Sequence, residues 1–569
     1  MRYSGGEALV EVLKQQGVKA IFSSPGSEWP SVWEALAKLH AQGDKDLEYF
    51  NCRHEMLALS AASGYALKSG KLPAVLLHTS AGLLHGAMAI RKAYMDQVPM
   101  LVCSGDSAIF TEGKNQQSDR GWQWLNRSDV GGSHPMTVPF TKWSHTVTSR
   151  ETLAGTVARA CQLACLAPQG PVYLSLAHEY LLEELEESLP QFAAPKTNAT
   201  ADPADLDKIA SLLMASQNPV IITERLGAEP RAVEKLVELA ETLSIPVFES
   251  MRQYFVNFPK EHPLHAGFDA TEAAAEADLV LVLAATTPWN PQRANPRPEA
   301  KVIFIDNQAP YSQLPFWNYR ADTVLAVDPL QALGALLERV KAKNGAANPE
   351  RLRQWQGKHE QIFGNWRDQA LKSRDKHPID TRWLCHSLNE WLPPDAMVVL
   401  ETISHTTALI RHLLRMQPGN FFKADIGGLG CGMGVALGVK TVSPSQPVIH
   451  LVGDGSFNYG PVISALGFAQ EYQLPILTII FNNGSYRAMQ TAHLKIYPEG
   501  WAARHQKFFG VDIAPNPDYA QLMKAFAAYG ERVDDPAEIA PALERALAEV
   551  RNGRSALLDV ILDPSDPRK

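Results

Sequence analysis

Short apolar runs alternate along this chain with segments whose apolar residues recur at helical spacing. The clearest case is a pair of unbroken apolar runs, residues 448–452 and 476–481, separated by a helical pattern over residues 459–472. Unbroken β-rich runs are typical of parallel strands that are buried on both faces. The pattern therefore predicts a β–α–β unit, with the polar residues after each run at the carboxyl ends of the strands.

The same alternation covers the first part of the chain. Strands are predicted at residues 20–23, 47–51, 74–78, 100–104 and 172–176. Helices are predicted at residues 6–16, 56–67 and 84–94, with a turn at 79–82 before the last of them. Strands that alternate with helices form a doubly wound parallel sheet. A stretch rich in Pro, Ala and Glu, residues 183–203, is a candidate linker, so the first domain is predicted to span residues 1–185.

Two further α/β domains are predicted. The second, residues 204–340, has predicted strands at 220–223, 247–249, 279–283 and 302–306. A charged helical linker ends near residue 376. The third domain, residues 377–569, contains a predicted helix at 381–391, a strand at 397–401, the β–α–β unit and a final strand at 558–562. The predicted fold class is therefore α/β, with three doubly wound parallel-sheet domains in series.

The composition narrows the class of protein. Of 569 residues, 45% are hydrophobic and 20% are charged, and the formal net charge of -8 argues against a nucleic-acid partner. No apolar run approaches the length of a membrane span, and the first residues lack the apolar region of a secretory signal. Six cysteines in so long a chain do not form a disulfide framework. We therefore predict a cytoplasmic location with no membrane partner.

Polar residues at the strand ends of the β–α–β unit suit a metal-bridged diphosphate. Asp454 and Asn483 offer oxygen ligands, and the backbone carbonyl of Ser485 offers another, as a hard cation requires. Glycine lets a backbone approach a phosphate, and a helix N-terminus favours an anion. The residues expected to face the phosphate are Gly453, Gly455 and Ser456, the last of which is predicted to open the helix. The alternative for this stretch alone is an ordinary strand–turn–helix with a capping Asp and an Asn-Gly turn.

A glycine cluster, Gly430-Cys431-Gly432-Met433-Gly434, offers a second interpretation. An acid, Asp454, follows at the distance of about twenty residues that is found in dinucleotide-binding sites. No clear strand leads into these glycines, however, and Asp454 lies between two glycines in a predicted turn. That position suits a metal ion better than a ribose hydroxyl, so dinucleotide binding is the weaker alternative.

Glu55 and His78 are the candidate catalytic residues of the first domain. Glu55 follows a predicted strand and enters a helix whose next residues are apolar. A carboxylate partly removed from water can share a proton with a ligand nitrogen, although a first-turn Glu is also favoured by the helix dipole alone. His78 ends a predicted strand, and histidine titrates near neutral pH. A hydrogen-bonded structural histidine fits that position equally well.

Together these segments resemble the thiamine-diphosphate-dependent decarboxylase and carboligase family over essentially the whole chain. The family's diphosphate motif is Gly-Asp-Gly followed by a helix and a strand ending in Asn-Asn, matched here by Gly453-Asp454-Gly455 and Asn482-Asn483. The resemblance implies thiamine diphosphate and Mg²⁺ as cofactors. It also implies that the metal ligands are Asp454, Asn483 and the carbonyl of Ser485.

The resemblance assigns further roles around the cofactor. Glu55 would be the glutamate that activates the aminopyrimidine ring, and Leu429 would be the bulky residue that forces the cofactor into its bent conformation. The segment 401–407 would be the loop that helps to hold the diphosphate. The residues implied to bind the cofactor are Glu55, Leu429, Ser404, His405, Gly453, Gly455, Ser456 and Tyr486.

Within the family, the active-site segments are most similar to those of benzoylformate decarboxylase. Ser27 and His78 would then face the substrate, and Ala488 and Met489 would shape its pocket. Two features differ from that branch. His85 stands where relatives commonly carry Asn, and residues 286–290 contain no His where the branch supplies a second catalytic one. The resemblance therefore leaves that proton transfer to His85 or to His405.

The implied function is that of a carbon–carbon lyase. The resemblance implies decarboxylation of a small 2-oxo acid through a C2 carbanion and enamine, followed by release of an aldehyde or attack on a second carbonyl compound. An acetolactate-synthase-type carboligase is the alternative within the family. A homodimer or homotetramer with the active site between subunits is also implied. The alternatives from other classes are a flavin or nicotinamide oxidoreductase and a noncatalytic thiamine-diphosphate-binding homologue.

Overall fold

Three parallel sheets flanked by helices form the frame of the chain in a computed structural model. The structure describes residues 3–106, 132–185, 189–195, 199–250, 253–311, 314–424 and 427–564. A short antiparallel pair, β1 (Tyr3–Ser4) and β8 (Glu184–Leu185), ties the start of the first domain to its end. The predicted fold class is confirmed.

The first sheet has the order β3-β2-β4-β5-β7-β6 and is parallel throughout. Its strands are β2 (Ala20–Ser24), β3 (Glu48–Asn51), β4 (Ala74–Leu77), β5 (Met100–Asp106), β6 (Trp143–Thr146) and β7 (Pro171–Ala177). Its helices are α1 (Gly5–Gln15), α2 (Pro30–Ala41), α3 (Glu55–Ser69), α4 (Thr79–Asp96), α5 (His134–Thr137), α6 (Arg150–Cys165) and α7 (His178–Leu182). The four central strands are entirely buried, which explains their unbroken apolar runs.

The central sheet has the order β10-β9-β11-β12-β13 and is also parallel. Its strands are β9 (Pro219–Thr223), β10 (Val247–Glu249), β11 (Leu279–Leu283), β12 (Lys301–Ile305) and β13 (Thr323–Leu325). Its helices are α8 (Pro203–Ala215), α9 (Pro230–Leu243), α10 (Thr271–Glu276) and α11 (Pro329–Ala342). Helix α12 (Pro349–Lys372) follows and leads to the third sheet.

The third sheet has the parallel order β15-β14-β16-β17-β19-β18. Its strands are β14 (Met397–Glu401), β15 (Phe421–Lys423), β16 (Val448–Gly453), β17 (Leu477–Asn482), β18 (Tyr529–Val533) and β19 (Ala556–Ile561). Its helices are α13 (Thr381–Trp391), α14 (Thr406–His412), α15 (Gly432–Val442), α16 (Asp454–Tyr459), α17 (Val462–Glu471), α18 (Arg487–Ile496), α19 (Trp501–His505), α20 (Tyr519–Leu522) and α21 (Ile539–Arg551). The predicted β–α–β unit occupies its centre.

The turn predicted at residues 79–82 is wrong, because helix α4 already begins at Thr79. The small residues of this segment form the first helical turn and let it approach α3. A Cβ atom added to Gly86 would lie 2.5 Å from Cδ1 of Leu59, and one added to Gly82 would lie 3.4 Å from Cγ of Glu55. Glycine at positions 82 and 86 therefore allows close packing of α4 against α3 and does not mark a turn.

The single helix predicted at residues 459–472 is also wrong. One helix begins at Asp454, before the predicted opening residue Ser456, and ends at Tyr459, and a second begins at Val462. Pro461 stands between them and has no backbone N–H to continue a helix. The short first helix follows β16 directly and therefore brings its N-terminus to the strand end.

The glycine cluster near residue 430 packs one helix against another. Strand β15 precedes the cluster and ends at Lys423, so no strand in the described residues leads directly into the glycines. A Cβ atom added to Gly434 would lie 2.0 Å from Oγ of Ser60, and one added to Gly438 would lie 1.9 Å from the carbonyl oxygen of Ala61. Helix α15 of the third sheet thus packs directly on α3 of the first, which explains Gly434 and Gly438 without a dinucleotide.

We propose domain limits of 1–185, 204–340 and 377–569, because each range contains one of the three sheets and α12 lies between the last two. Hydrophobic cores follow the same division in part, although one core joins α3 and α4 to the third sheet.

Within the described part of the chain, none of the helices combines the length and apolar character needed to span a bilayer.

Candidate active site

The candidate residues of the first domain share one edge of its sheet. Ser27 follows β2, Glu55 follows β3, and His78 follows β4, and these three strands are neighbours. Because parallel strands end at the same edge, their carboxyl-terminal residues lie where open α/β sheets bind ligands. Ser27 is exposed at this edge.

His78 is held by a buried carboxylate that the sequence analysis missed. Nδ1 of His78 lies 3.0 and 2.9 Å from the two carboxylate oxygens of Glu28, and Glu28 also accepts the backbone N–H of Thr79 at 3.3 Å. A Cβ atom on Gly26 would lie 1.8 Å from Nδ1 of His78, so only glycine permits this approach. The position of Glu28 between Ser27 and buried Trp29, directly after a strand, was the available signal.

Glu55 opens helix α3 and contacts His85. Its Oε2 lies 2.7 Å from Nδ1 of His85, while the Glu55 side chain is 16% exposed and that of His85 is 62% exposed. His54 is the N-cap of α3, and its Nδ1 accepts the backbone N–H of Met56 at 3.1 Å. The structure therefore brings two of the predicted catalytic residues, Glu55 and His85, into direct contact.

The predicted metal ligands gather at the ends of β16 and β17. Asp454 is 3% exposed; its Oδ1 accepts the N–H of Gly455 at 2.8 Å, whereas its Oδ2 is buried with no hydrogen-bond partner among the described residues. Burial raises the pKa of Asp454 to about 6, because water no longer solvates the carboxylate. The hydroxyl of nearby Ser485 is likewise buried without a partner among the described residues. A buried, unpartnered carboxylate oxygen at this position suits a cation.

His405 lies behind Asn483 instead of facing the strand edge. Nε2 of His405 is 3.3 Å from Nδ2 of Asn483, and its Nδ1 is 3.0 Å from Oγ1 of Thr381. Since the Asn483 amide donates to Nε2, the proton of the neutral ring lies on Nδ1 and donates to Thr381. His405 thus orients Asn483, whose Oδ1 accepts the backbone N–H of Ser485 at 3.1 Å.

The predicted phosphate-facing residues line the start of α16. Space at Gly453 is open, since a Cβ atom there would meet nothing within 4 Å. A Cβ atom on Gly455 would instead lie 2.7 Å from the ring of Tyr486, so that glycine is required for the ring to pack. Ser404 and Ser456 are both buried nearby at strand ends of this sheet.

Leu429 lies on a loop that a buried glutamate fixes. The carboxylate of Glu401 accepts the backbone N–H groups of Gly430, Cys431 and Gly432 at 2.7, 2.9 and 3.0 Å. Glu401 is 1% exposed, so these three bonds are shielded from water. Glu401 begins the 401–407 loop expected from the resemblance, but its contacts with these backbone N–H groups depend on loop conformation and not on residue spacing.

Ala488 and Met489 lie on α18, which follows the metal loop. Helix α18 has no buried residues among those described, and Met489 is 49% exposed.

Helix α4 connects the candidate residues at the strand ends of the first sheet with the loop that carries Leu429. Met88 lies against Gly428, and Nη1 of Arg91 donates to the carbonyl of Gly427 at 2.6 Å.

Three family models match the chain in succession. Residues 3–123 match the N-terminal TPP binding domain of the thiamine pyrophosphate enzymes, residues 206–336 their central domain, and residues 403–560 their C-terminal TPP binding domain. The models follow the order of the three sheets. Thiamine diphosphate, which is another name for thiamine pyrophosphate, is therefore the supported cofactor.

Curated relatives align over almost the whole chain. The acetolactate synthase isozyme 3 large subunit of Escherichia coli is 26% identical over 583 residues, covering 99% of this chain and 95% of the relative. The benzoylformate decarboxylase of Pseudomonas aeruginosa is 27% identical over 574 residues, covering 98% of this chain and 99% of the relative. The family thus includes both decarboxylases and carboligases at similar distance from this chain.

Solved structures have the same fold. Benzoylformate decarboxylase from Polynucleobacter necessarius has a TM-score of 0.79 at 21% identity, covering 99% of each chain. The 4-hydroxybenzoylformate decarboxylase of Rhodococcus jostii RHA1 has a TM-score of 0.81 at 23% identity, covering 99% of this chain and 100% of that one. These matches show the shared fold, and the three successive domain models establish that the chain belongs to the thiamine pyrophosphate enzyme family.

Proposed function

We propose that the chain is a magnesium- and thiamine-diphosphate-dependent decarboxylase of a small 2-oxo acid, similar to benzoylformate decarboxylase. The observation that carries the proposal is that the Glu55–His85 and Glu28–His78 pairs share one strand edge of the first sheet. When bound, thiamine diphosphate supplies the nucleophilic carbon and the electron sink for the cleavage. The two pairs supply separate groups that hold protons, one toward the cofactor and one toward the substrate.

The residues of the third sheet fit a magnesium-bound diphosphate. The buried Oδ2 of Asp454, which has no hydrogen-bond partner among the described residues, suits a cation. The contact of Asn483 with His405 leaves the Asn483 side-chain oxygen directed to the same loop. Asp454, Asn483 and the carbonyl of Ser485 would hold the ion. The open space at Gly453 and the N-terminus of α16 would receive the phosphate oxygens.

In this proposal, proton transfer with the substrate belongs to His78. Glu28 binds Nδ1 of His78 and thereby fixes the ring, so the transfer falls to Nε2. Ser27, exposed on the adjacent strand end, would position the substrate carboxylate. His405 is buried behind Asn483, which supports His78 and His85 over His405 for this step.

A carboligase of the acetolactate-synthase type is the second candidate, because the Escherichia coli relative aligns over 99% of this chain.

The strand ends of the central sheet are relevant to whether a flavin binds there. Glu224, Glu249 and Asp306 stand at the carboxyl ends of β9, β10 and β12, and all three are buried. Each carboxyl group accepts a hydrogen bond within the protein, from Thr286, Asn257 and Tyr311 respectively. Acidic groups beneath this edge are unfavourable for an anionic dinucleotide, which supports a reaction without a flavin in the central domain.

A substrate panel tests the proposed activity. We expect a colourless protein that, with added thiamine diphosphate and Mg²⁺, releases carbon dioxide from at least one 2-oxo acid of an aromatic and aliphatic panel. Both aldehyde and 2-hydroxyketone products should be measured, because their ratio distinguishes a decarboxylase from a carboligase. No carbon dioxide from any acid would favour a noncatalytic binding protein, and a yellow protein would favour a flavin.

We also propose a homodimer or homotetramer in the cytoplasm, with the active site between subunits. Large apolar side chains are exposed beside both candidate clusters. Leu84 is 59% exposed next to His85, and Tyr459 and Ile463 are 60% and 61% exposed at the two helices after Asp454. Exposed apolar groups of this size are typical of surfaces that another subunit covers.

The oligomer is tested by light scattering with cofactor and Mg²⁺ present. The wild-type mass is expected to be at least twice the 62.5 kDa of one chain. Ile463→Arg should lower the mass and reduce activity by more than about tenfold, because a charge would be buried without a partner. Leu371→Arg, on α12 and 47% exposed, is the control and should change neither. A wild-type mass near 62.5 kDa would contradict the proposal.

A further inference from the structure

Three titratable side chains, His54, Glu55 and His85, meet where α3 and α4 begin. Oε2 of Glu55 and Nδ1 of His85 are 2.7 Å apart, and the rings of His54 and His85 have centroids 4.5 Å apart at an angle of 35°. One ligand atom from each residue can be chosen so that all lie within 4.8 Å of one another. The small residues Gly82 and Gly86 allow this proximity by letting α4 approach α3.

A metal ion is the first ligand to consider for such a group, and the helix cap argues against it. Nδ1 of His54 accepts the backbone N–H of Met56, so the proton of the neutral ring lies on Nε2. That nitrogen is then a donor and not a metal ligand. The remaining contact, between His85 and Glu55, has the length of a charge-assisted hydrogen bond.

We propose that His85 is a proton relay for Glu55. This inference rests on the proposed function, in which Glu55 gives a proton from one carboxyl oxygen, Oε1, to the cofactor's aminopyrimidine. As that proton leaves, the Nδ1–H bond of His85 breaks and an O–H bond forms at Oε2 of Glu55. In this step the imidazolium becomes a neutral ring and the carboxyl group stays neutral, and a hydronium ion of the solvent then returns a proton to the ring and becomes water. The reverse sequence carries a proton outward.

The exposure of the two side chains supports a relay. The His85 side chain is 62% exposed and can exchange protons with water, whereas the Glu55 side chain is only 16% exposed. His54 packs against His85, and burial followed by the charge of His85 lowers the pKa of His54. An asparagine at this position could donate a hydrogen bond to Glu55 but could not release a proton.

Two substitutions separate a relay from simple positioning. His85→Asn keeps a hydrogen-bond donor, and His85→Ala removes it. The measured quantity is the rate at which bound thiamine diphosphate exchanges its thiazolium C2 proton for deuterium, without substrate. Both variants should exchange about 10-fold to 100-fold more slowly than wild type, at or below the lower limit for a general acid–base group, because His85 acts only through Glu55. Cofactor affinity by calorimetry should stay within about threefold. Added imidazole should restore His85→Ala but not His85→Asn, whose side chain fills the space.

The matched control is His40→Asn, an exposed histidine on α2, which should exchange at the wild-type rate. Wild-type exchange in His85→Asn, with slow exchange in His85→Ala, would assign His85 a positioning role and overturn the relay. Failure of imidazole to restore His85→Ala would overturn it as well. In Glu55→Gln, the further change His85→Asn should have no effect on the rate, because the relay has lost its acceptor.

A readout on the cofactor-free protein keeps the relay separate from the proposed function. The ring ¹⁵N resonances of His85 should shift when Glu55 becomes Gln, because the partner of Nδ1 changes from a carboxylate to an amide. Unchanged His85 resonances would overturn the proposed contact. Shifted resonances in a protein that binds no thiamine diphosphate would instead overturn the proposed function while leaving the contact intact.

Discussion

Glu55→Gln is expected to lower turnover by at least about 10³-fold while changing the affinity for thiamine diphosphate by no more than a few-fold. The carboxyl group lies at the start of α3, where its Oε2 contacts His85 and where a ligand nitrogen could reach its other oxygen. Glutamine has nearly the same shape and can still form hydrogen bonds, but it cannot exchange a proton. General acid–base groups contribute about 10²–10⁴-fold to rates, so the loss should be large.

The measurement combines carbon dioxide release from the best acid of the panel with calorimetric titration of thiamine diphosphate in Mg²⁺. Glu34→Gln, at an exposed position of α2 in the same domain, is the matched control and should retain wild-type turnover. Turnover near the wild-type value in Glu55→Gln would remove Glu55 from the mechanism. Loss of cofactor affinity in parallel with activity would instead assign Glu55 to binding.

The sequence predicted the central strands and missed several edge strands, for a physical reason. β4 and β16 are buried on both faces, so selection of apolar residues at every position leaves an unbroken run. β6, β13 and β18 lie at sheet edges, and most of their residues are partly or fully exposed to solvent. Such strands resemble loops in composition, because their residues face solvent on at least one side.

The candidate site was predictable where residues follow neighbouring predicted strands, and not where a contact depends on side-chain or loop conformation. Asp454 and Asn483 follow strands that the pattern predicts, so their proximity could be expected. The pairing of His78 with Glu28 joins residues 50 positions apart and depends on Gly26 allowing the approach. The clamp of Glu401 on backbone N–H groups about thirty residues later depends on loop conformation, which periodicity does not encode.

Asp454 represents a conflict between stability and ligand binding. Its carboxylate is buried, and one of its oxygens is without a partner among the described residues. The folded pKa of about 6 exceeds the value near 3.9 of an unfolded Asp, so the folded state binds the proton more tightly. The associated stability is fully present below about pH 4 and is lost as pH rises through 6. At neutral pH the buried charge costs about 3 kcal/mol, which a bound cation would offset.

Asp454→Asn is therefore expected to stabilise the cofactor-free protein at pH 7.5 and to abolish its response to the metal. The amide removes the buried charge but leaves an unpaired N–H, which costs about 1 kcal/mol, so the net gain should be about 1–2 kcal/mol. That corresponds to a rise of about 2–8 °C in Tm of the domain that contains it. At pH 4 the gain should disappear, because the wild-type carboxyl group is then protonated in the folded state.

Thermal unfolding with and without Mg²⁺ and thiamine diphosphate measures both effects. The two ligands should raise the Tm of the wild type, because they bind the folded state. They should not raise the Tm of Asp454→Asn, whose cofactor affinity should be at least about 100-fold lower than that of the wild type. Asp512→Asn is the control: this exposed carboxylate lies opposite Ser485, and its loss should leave both Tm values unchanged. A ligand-induced rise in Asp454→Asn equal to that of the wild type would show that the cation binds elsewhere. A Tm below the wild-type value at pH 7.5 would show that the buried charge of Asp454 is already balanced by the protein itself, and the metal would then have no electrostatic deficit to fill.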